Sequence, residues 1–542
     1  MPRGATFALF LALVCHAAGQ EYAGSQACAP CHHAIYESYR ATPMALSGAP
    51  PGAGLVRETF SKASFDGNSG WRYRVSDGPG GYALEFDRAA GGPHGVKRLA
   101  YAIGSGAIAR SYLWEDSGFL FEAPAAYYSS NAIWALEPGY ADYDYPYLTR
   151  PIPPTCLNCH VSSLNPVAGT LNRYSLTPFG EAGVSCERCH GPAVEHIKRL
   201  KSGLTAGGLS IVNPAKLDAE ARDSVCWQCH LNGEARVFRK GQDWHSYRPG
   251  ARLSESLTVF VRDGADPATQ VTSHAEDLAR SACRRSAGAR LWCGSCHDPH
   301  SIPTAANRAQ WYRAKCERCH ETHQCTESKA IRARAADNCI PCHMPKTNAA
   351  DAAHVVSTDH SIPRRRRTRL APMSGSALIA FGGAAAPTRD LGLAYAIAGP
   401  HQKSGDFRAR AIELLERATR QSPDDPEALV YLAELYRNSG RSDQAVPLYR
   451  RALQLDPAQL TATVGLGGIQ MERGQSSDAI RLWRDALDRN SGLELVRCNL
   501  AMAQWKTGDV AAARSTLERA LSLNPAFAPA IQLLRQLLPA PR

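Results

Sequence analysis

Cys-x-x-Cys-His occurs seven times in this 542-residue chain. The copies are Cys28, Cys31 and His32; Cys156, Cys159 and His160; Cys186, Cys189 and His190; Cys226, Cys229 and His230; Cys293, Cys296 and His297; Cys316, Cys319 and His320; and Cys339, Cys342 and His343. Eighteen cysteines scattered at random over this length would produce about 0.02 such motifs. The spacing lets two thiols add to the two vinyl groups of one haem, and the adjacent histidine is then held beneath the iron. A single C-x-x-C also suits zinc or a dithiol redox pair. Seven copies, each followed at once by histidine, point instead to covalent haem c and its iron, seven per chain.

Iron held by one histidine has an open far side, so function depends on what closes it. His300 lies three residues after His297, and His196 lies six after His190. Histidines so placed commonly serve a neighbouring haem, because their own is already ligated on that side. His354 and His360 follow the last motif and reach back to it or to another haem, and His274 precedes the fifth motif on a predicted helix. These five are the candidate far-side imidazoles. His94 and His245 read equally well as surface residues, His33 and His323 as solvent-facing neighbours of a proximal histidine, and His401 as part of the C-terminal module. For the first haem the candidate is Met44, twelve residues after His32; core packing is its alternative role. A thioether stabilises ferrous iron, so ligation by Met44 would give that haem the higher potential.

The elements that must hold these groups divide the chain into six parts. Residues 1–19 carry Arg3, an apolar run from Ala5 to Val14 and small residues Ala17 to Gly19, the pattern of a signal peptide. Leu13 and Val14 disfavour lipidation at Cys15. Residues 20–50 hold the first haem. Residues 51–150 read as a β-rich insertion, with strands expected over 71–75, 82–86, 97–103 and 119–128. Residues 151–363 hold six haems. From Cys156 to His343 there are about thirty residues per haem, too few for separate domains, so the porphyrins must pack together and supply much of the core. Residues 364–389, opening on four consecutive arginines, read as a linker. From 390 to 542 the sequence repeats every 34 residues, with Gly440, Gly474 and Gly508, then Ala445, Ala479 and Ala513, and Ala452, Ala486 and Ala520 in register. The fold class expected is multidomain: a mostly α, haem-packed cytochrome with a small β-rich insertion, followed by an all-α repeat solenoid.

Two resemblances follow from these residues. The 34-residue period and its small-residue positions resemble tetratricopeptide repeats, which implies a solenoid that docks a protein or peptide. Cys186-Glu-Arg-Cys-His190-Gly-Pro with His196, Cys293-Gly-Ser-Cys-His297-Asp-Pro-His300, and Cys339-Ile-Pro-Cys-His343-Met-Pro-Lys346 resemble multihaem cytochromes related to the tetrahaem cytochrome of ammonia oxidisers, and more distantly to octahaem hydroxylamine oxidoreductase and pentahaem nitrite reductase. That resemblance covers residues 25 to 365. It implies an axial histidine about where Met44 stands. Enzymes of the group keep one haem open, and the nitrite reductases mark it with lysine in place of the motif histidine; all seven motifs here keep histidine. The resemblance thus implies electron transfer rather than catalysis.

A 44% hydrophobic and 20% charged composition excludes a largely disordered chain. The formal charge of +11 is offset by two propionates per haem, so it argues little about an acidic partner. No later apolar stretch is long enough for a transmembrane segment. An exported protein in the periplasm or at the cell surface is expected, with redox proteins as partners and no nucleic acid. Cys283 and Cys325 flank the fifth and sixth motifs and are candidates for a disulfide in an oxidising compartment, and Cys498 reads as buried. The leading reading is an electron relay. Its alternatives are an oxidoreductase of a small nitrogen or sulfur compound at one open haem, and a repeat scaffold with structural haems.

Overall fold

The computed structural model describes residues 22–55, 57–204, 210–264, 270–321, 325–364, 377–401 and 406–537. The expected signal peptide, His323 and the basic run after Arg364 lie outside the described residues. The N-terminal half carries two antiparallel sheets. One orders Ser64–Asp66, Trp71–Gly78, Gly81–Arg88 and Gly95–Arg98. The other orders Gly48–Ala49, Tyr101–Ile103, Ala109–Asp116, Phe119–Tyr128 and Arg150–Pro151, and Ile133–Leu136 also pairs with Phe119–Tyr128. The stretch expected as one strand over 97–103 is broken at Leu99 and Ala100, so its two halves serve different sheets.

Burial follows the period of two. Trp71, Tyr73 and Val75 on one strand and Tyr82, Leu84 and Phe86 on the next face a common core. Phe119–Tyr128 is buried along nearly its whole length because both its faces are covered. Phe119, Phe121, Ala123, Ala125 and Tyr127 face the core of the two sheets, while Leu120 faces Leu157 and Val161 around the second motif. The tyrosines after it pack internally: Tyr140, Tyr143 and Tyr147 contact one another, and Tyr145 reaches Phe527.

The C-terminal part is a row of antiparallel helix pairs from Thr388–Ala398 to Ala528–Leu537. Ala445, Ala479, Ala513, Ala452, Ala486 and Ala520 are all buried, since only a methyl fits where the helices approach. Gly440, Gly474 and Gly508 turn the chain between paired helices with φ of 73°, 76° and 88°, a conformation that favours glycine. Strand Leu378–Ala380, within the expected linker, is the third strand of a sheet with Ala235–Phe238 and Leu257–Arg262, and so joins the motif region to the first repeat. Among the described residues no helix is long and apolar enough to cross a membrane.

Candidate haem-binding site

One turn of helix explains the motif spacing. The amide N–H of His32, His190, His297 and His343 donates to the carbonyl of the first cysteine of its own motif, at 2.9, 3.0, 2.9 and 3.0 Å. Cysteines three apart then share one face, and the histidine one step on lies beside them. The fourth and sixth motifs close the longer helices Ala219–His230 and Arg308–His320. Asp218 starts the former by accepting from the N–H groups of Glu220 and Ala221.

All seven motif histidines line one continuous cavity of about 4530 Å³. Every motif cysteine except Cys156 lines it too. Shared among seven groups the space is roughly 650 Å³ each, within the range of about 300–1,000 Å³ for pockets of cofactor-sized molecules. Its wall is mostly apolar, and the donor set is thiols and imidazoles, so the residues present fit haem c.

The far-side candidates differ in placement. Met44, His196, His274, His300 and His360 line the cavity. His354 does not: it is exposed, with φ of 61°, and its ring lies 5.2 Å from that of Tyr128. The His300 ring stacks on that of His190, centroids 5.9 Å apart and planes at 14°. His360 lies 6.2 Å from His297 at 34°, and His274 lies 5.4 Å from His230 at 84°. Two imidazoles bound to one metal at about 2.0–2.1 Å each place their centroids about 6 Å apart. His245, by contrast, is exposed and paired with Asp243.

Hydrogen bonds to Nδ1 leave Nε2 to face a metal. His190 Nδ1 meets the carbonyl of Val212 at 2.7 Å, His360 Nδ1 that of Thr358 at 2.9 Å, and His343 Nδ1 that of Pro363 at 3.2 Å. Tyr312 Oη lies 3.4 Å from His297 Nδ1. Burial lowers His160 to about 4, His274 to about 3 and His297 to about 4. It also lowers His230, His300 and His360. These imidazoles are therefore neutral at pH 7, the form that ligates metal.

Carboxylates position the parts. Glu187, inside the third motif, accepts from the N–H groups of Ala23, Gly24 and Ala193, tying the first motif and the helix of His196 to the third. Glu276, on the helix of His274, accepts from Asn232 and Gly233, just after His230. The hairpin Lys346–Asn348 with Val356–Thr358 returns the chain so that His360 reaches His297. None of these roles was read from sequence, since an acidic residue beside a motif carries no mark of the distant amides it will meet.

Thiols of different motifs are neighbours. Cys28 and Cys186, Cys159 and Cys229, Cys226 and Cys293, and Cys316 and Cys339 are close enough to act on each other. Cys189 and Cys226, and Cys296 and Cys319, are close enough to act on each other electrostatically. Cys283 and Cys325 are not joined. Cys283 sits beside Cys296 and Cys319 instead.

The family model described as cytochrome c554 and c-prime matches residues 146–191, which hold the second and third motifs. A doubled CXXCH model matches 311–348, and a tetratricopeptide-repeat model matches 395–459 and 464–529. The multiheme cytochrome MtrA of Shewanella baltica (strain OS185) is 26% identical over 164 residues, 28% of this chain and 46% of the relative. The chain thus spans about half the length of the curated relative it matches. Solved structures that resemble the chain include two of MamA. One is 20% identical with a TM-score of 0.24, covering 26% of this chain and 81% of that one. The other is 19% identical with a TM-score of 0.26, covering 28% and 80%.

Proposed function

This chain is a multihaem cytochrome fused to C-terminal tetratricopeptide repeats, and from that premise we propose that it is an exported seven-haem electron relay whose repeat module docks a protein partner. The observation that carries the reading is the single cavity into which all seven motif histidines converge. Each haem supplies a one-electron iron couple. The chain holds the haems by thioethers at the fourteen motif cysteines and by the seven proximal imidazoles. His300, facing His190, and His360, facing His297, would hold the far side of those two haems, and His274, in ring contact with both His230 and His360, would hold one beside them. Met44 and His196 are the further ligands offered to the cavity, and His354 is a candidate only if its ring leaves Tyr128.

The thiol neighbours supply an order. A cysteine would anchor the rim of its porphyrin, so neighbouring thiols from two motifs would bring two rims near each other. The path runs from the first motif to the third, fourth, fifth, sixth and seventh, with the second as a branch from the fourth. It departs from chain order at the second and third motifs. The test is a haem-to-protein ratio from the pyridine haemochrome assay with electron paramagnetic resonance of the oxidised protein. Seven haems are expected, low-spin wherever one of the five cavity-lining ligands closes the far side, with no high-spin signal that responds to a small nitrogen compound. A substoichiometric high-spin signal that shifts on adding nitrite or hydroxylamine would instead make the chain an oxidoreductase.

A further inference from the structure

A pair of part-buried carboxyls, Glu137 and Glu122, lies at the sheet side of the haem cavity. Glu137 lines the cavity, and its Oε1 accepts from Ser111 Oγ at 2.9 Å. Its Oε2 is buried and has no hydrogen-bond partner among the described residues. Glu122, close enough to act on Glu137, bonds Arg150 Nη1 through its own Oε2 at 3.0 Å. The Cys156 thiol lies in the field of both Glu122 and Arg150.

Two carboxyls facing one guanidinium leave one negative charge without an ion-pair partner, and in a water-poor setting that favours a shared proton. Burial, then Glu122, raises the Glu137 carboxyl well above its ordinary range. The other groups facing this corner are Tyr140, whose Oη donates to the Glu122 carbonyl, and Tyr128, whose Oη donates to that of Leu136. From the segment after the last motif come Asp351, occupied by the Val271 N–H, and His354 against Tyr128.

We infer that Glu137 is a proton acceptor coupled to reduction of the haem nearest it in the cavity. The inference rests on the relay reading. The Glu137 carboxylate takes one proton from a buffer acid as one electron, given up by a neighbouring haem, reduces ferric to ferrous iron beside it. One O–H bond forms, the buffer acid's bond to that proton breaks, and the local charge is unchanged. Reduction makes the neighbourhood more negative, so the carboxyl binds its proton more tightly in the reduced state. Between its oxidised-state and reduced-state pKa values the potential of that haem falls with rising pH, by up to about 59 mV per unit, the one-electron equivalent of a tenfold change.

The experiment is an optically followed potentiometric titration of the full-length haem-loaded protein from pH 5 to 9. In the native chain one haem's share of the absorbance should show the pH-dependent potential, and in Glu137→Gln that share should be pH-independent with the others unchanged. Ser111→Ala removes a donor that favours the ionised form, so it should move the sloping window to higher pH. The same slope in Glu137→Gln, or an unmoved window in Ser111→Ala if the first variant fails to load haem, overturns the inference. A haem-to-protein ratio below seven counts against the relay, whereas seven reducible haems with pH-invariant potentials count against Glu137 alone.

Discussion

His300→Ala removes the ring that stacks on His190 while leaving Cys186, Cys189 and His190 to attach and hold their haem. The expected outcome is a full complement of haems in which one has turned from low-spin to high-spin, read by electron paramagnetic resonance. An unchanged low-spin spectrum would refute the pairing. His245→Ala, at an exposed residue already bonded to Asp243, should leave the spectrum as it was. The motif residues were legible because covalent attachment demands a fixed local spacing. The far-side pairs were legible only as a pool of candidates, since His300 comes more than a hundred residues after His190 and meets it through packing alone.

Elements are held in place by a few buried ionic contacts. Glu187 accepts three backbone N–H groups drawn from two segments. Glu187→Ala leaves the Ala193 N–H buried without a partner and the Ala23 and Gly24 N–H groups to partial hydration, and should cost about 2–5 kcal/mol, since a buried hydrogen bond to a charged group contributes about 1.5–3 kcal/mol and the part-buried ones less. The check is a lower melting temperature together with faster proteolysis before the first motif. In the sheets, Glu58 and Arg110 form an ion pair with both side chains fully buried, and Tyr112 donates to the same carboxylate. Glu58→Ala should destabilise by about 3–5 kcal/mol, because it strands a guanidinium in the core. Chemical denaturation measures this, and a loss under about 1 kcal/mol would mean that water reaches Arg110.

At the scale of the whole molecule, loops and helices of the repeats fasten the solenoid to the rest of the chain. Lys240 bonds Asp424, Arg389 bonds the carbonyl of Phe238, Arg519 pairs with Asp116, and Asn524 donates to the carbonyl of Pro146. Gly492 lies so close to Phe121 and Thr149 that an added Cβ would come within 2.5 Å of the Phe121 ring. Glu494 lies in this junction, hydrogen-bonded by Asn524 and Tyr145. Burial raises its carboxyl from 4.5 to about 7. A raised folded-state value means that folding favours the protonated form, so the junction is firmest below 4.5 and weakens as pH rises through 7. The full effect is about 3 kcal/mol, at about 1.36 kcal/mol per pKa unit. Glu494→Gln should therefore raise the melting temperature at pH 8 and leave it nearly unchanged at pH 5. Equal shifts at both values would show that the carboxyl does not titrate in this range.

The sequence by itself determined whatever depends on local spacing. The cysteine and histidine positions follow from the two vinyl groups and one iron of a haem, the alternating strands from the two faces of a sheet, and the alanine and glycine register from helices packed every 34 residues. Tertiary structure decided what depends on meetings between distant segments. It set which imidazoles face each other, placed the first motif beside the third, and turned part of an expected linker into the strand Leu378–Ala380. It also brought Glu137 to the cavity that the motif histidines line. The physical reason is that attachment chemistry acts within one turn of helix, whereas ligand pairing, haem order and buried charge are set by contacts whose partners lie tens to hundreds of residues away.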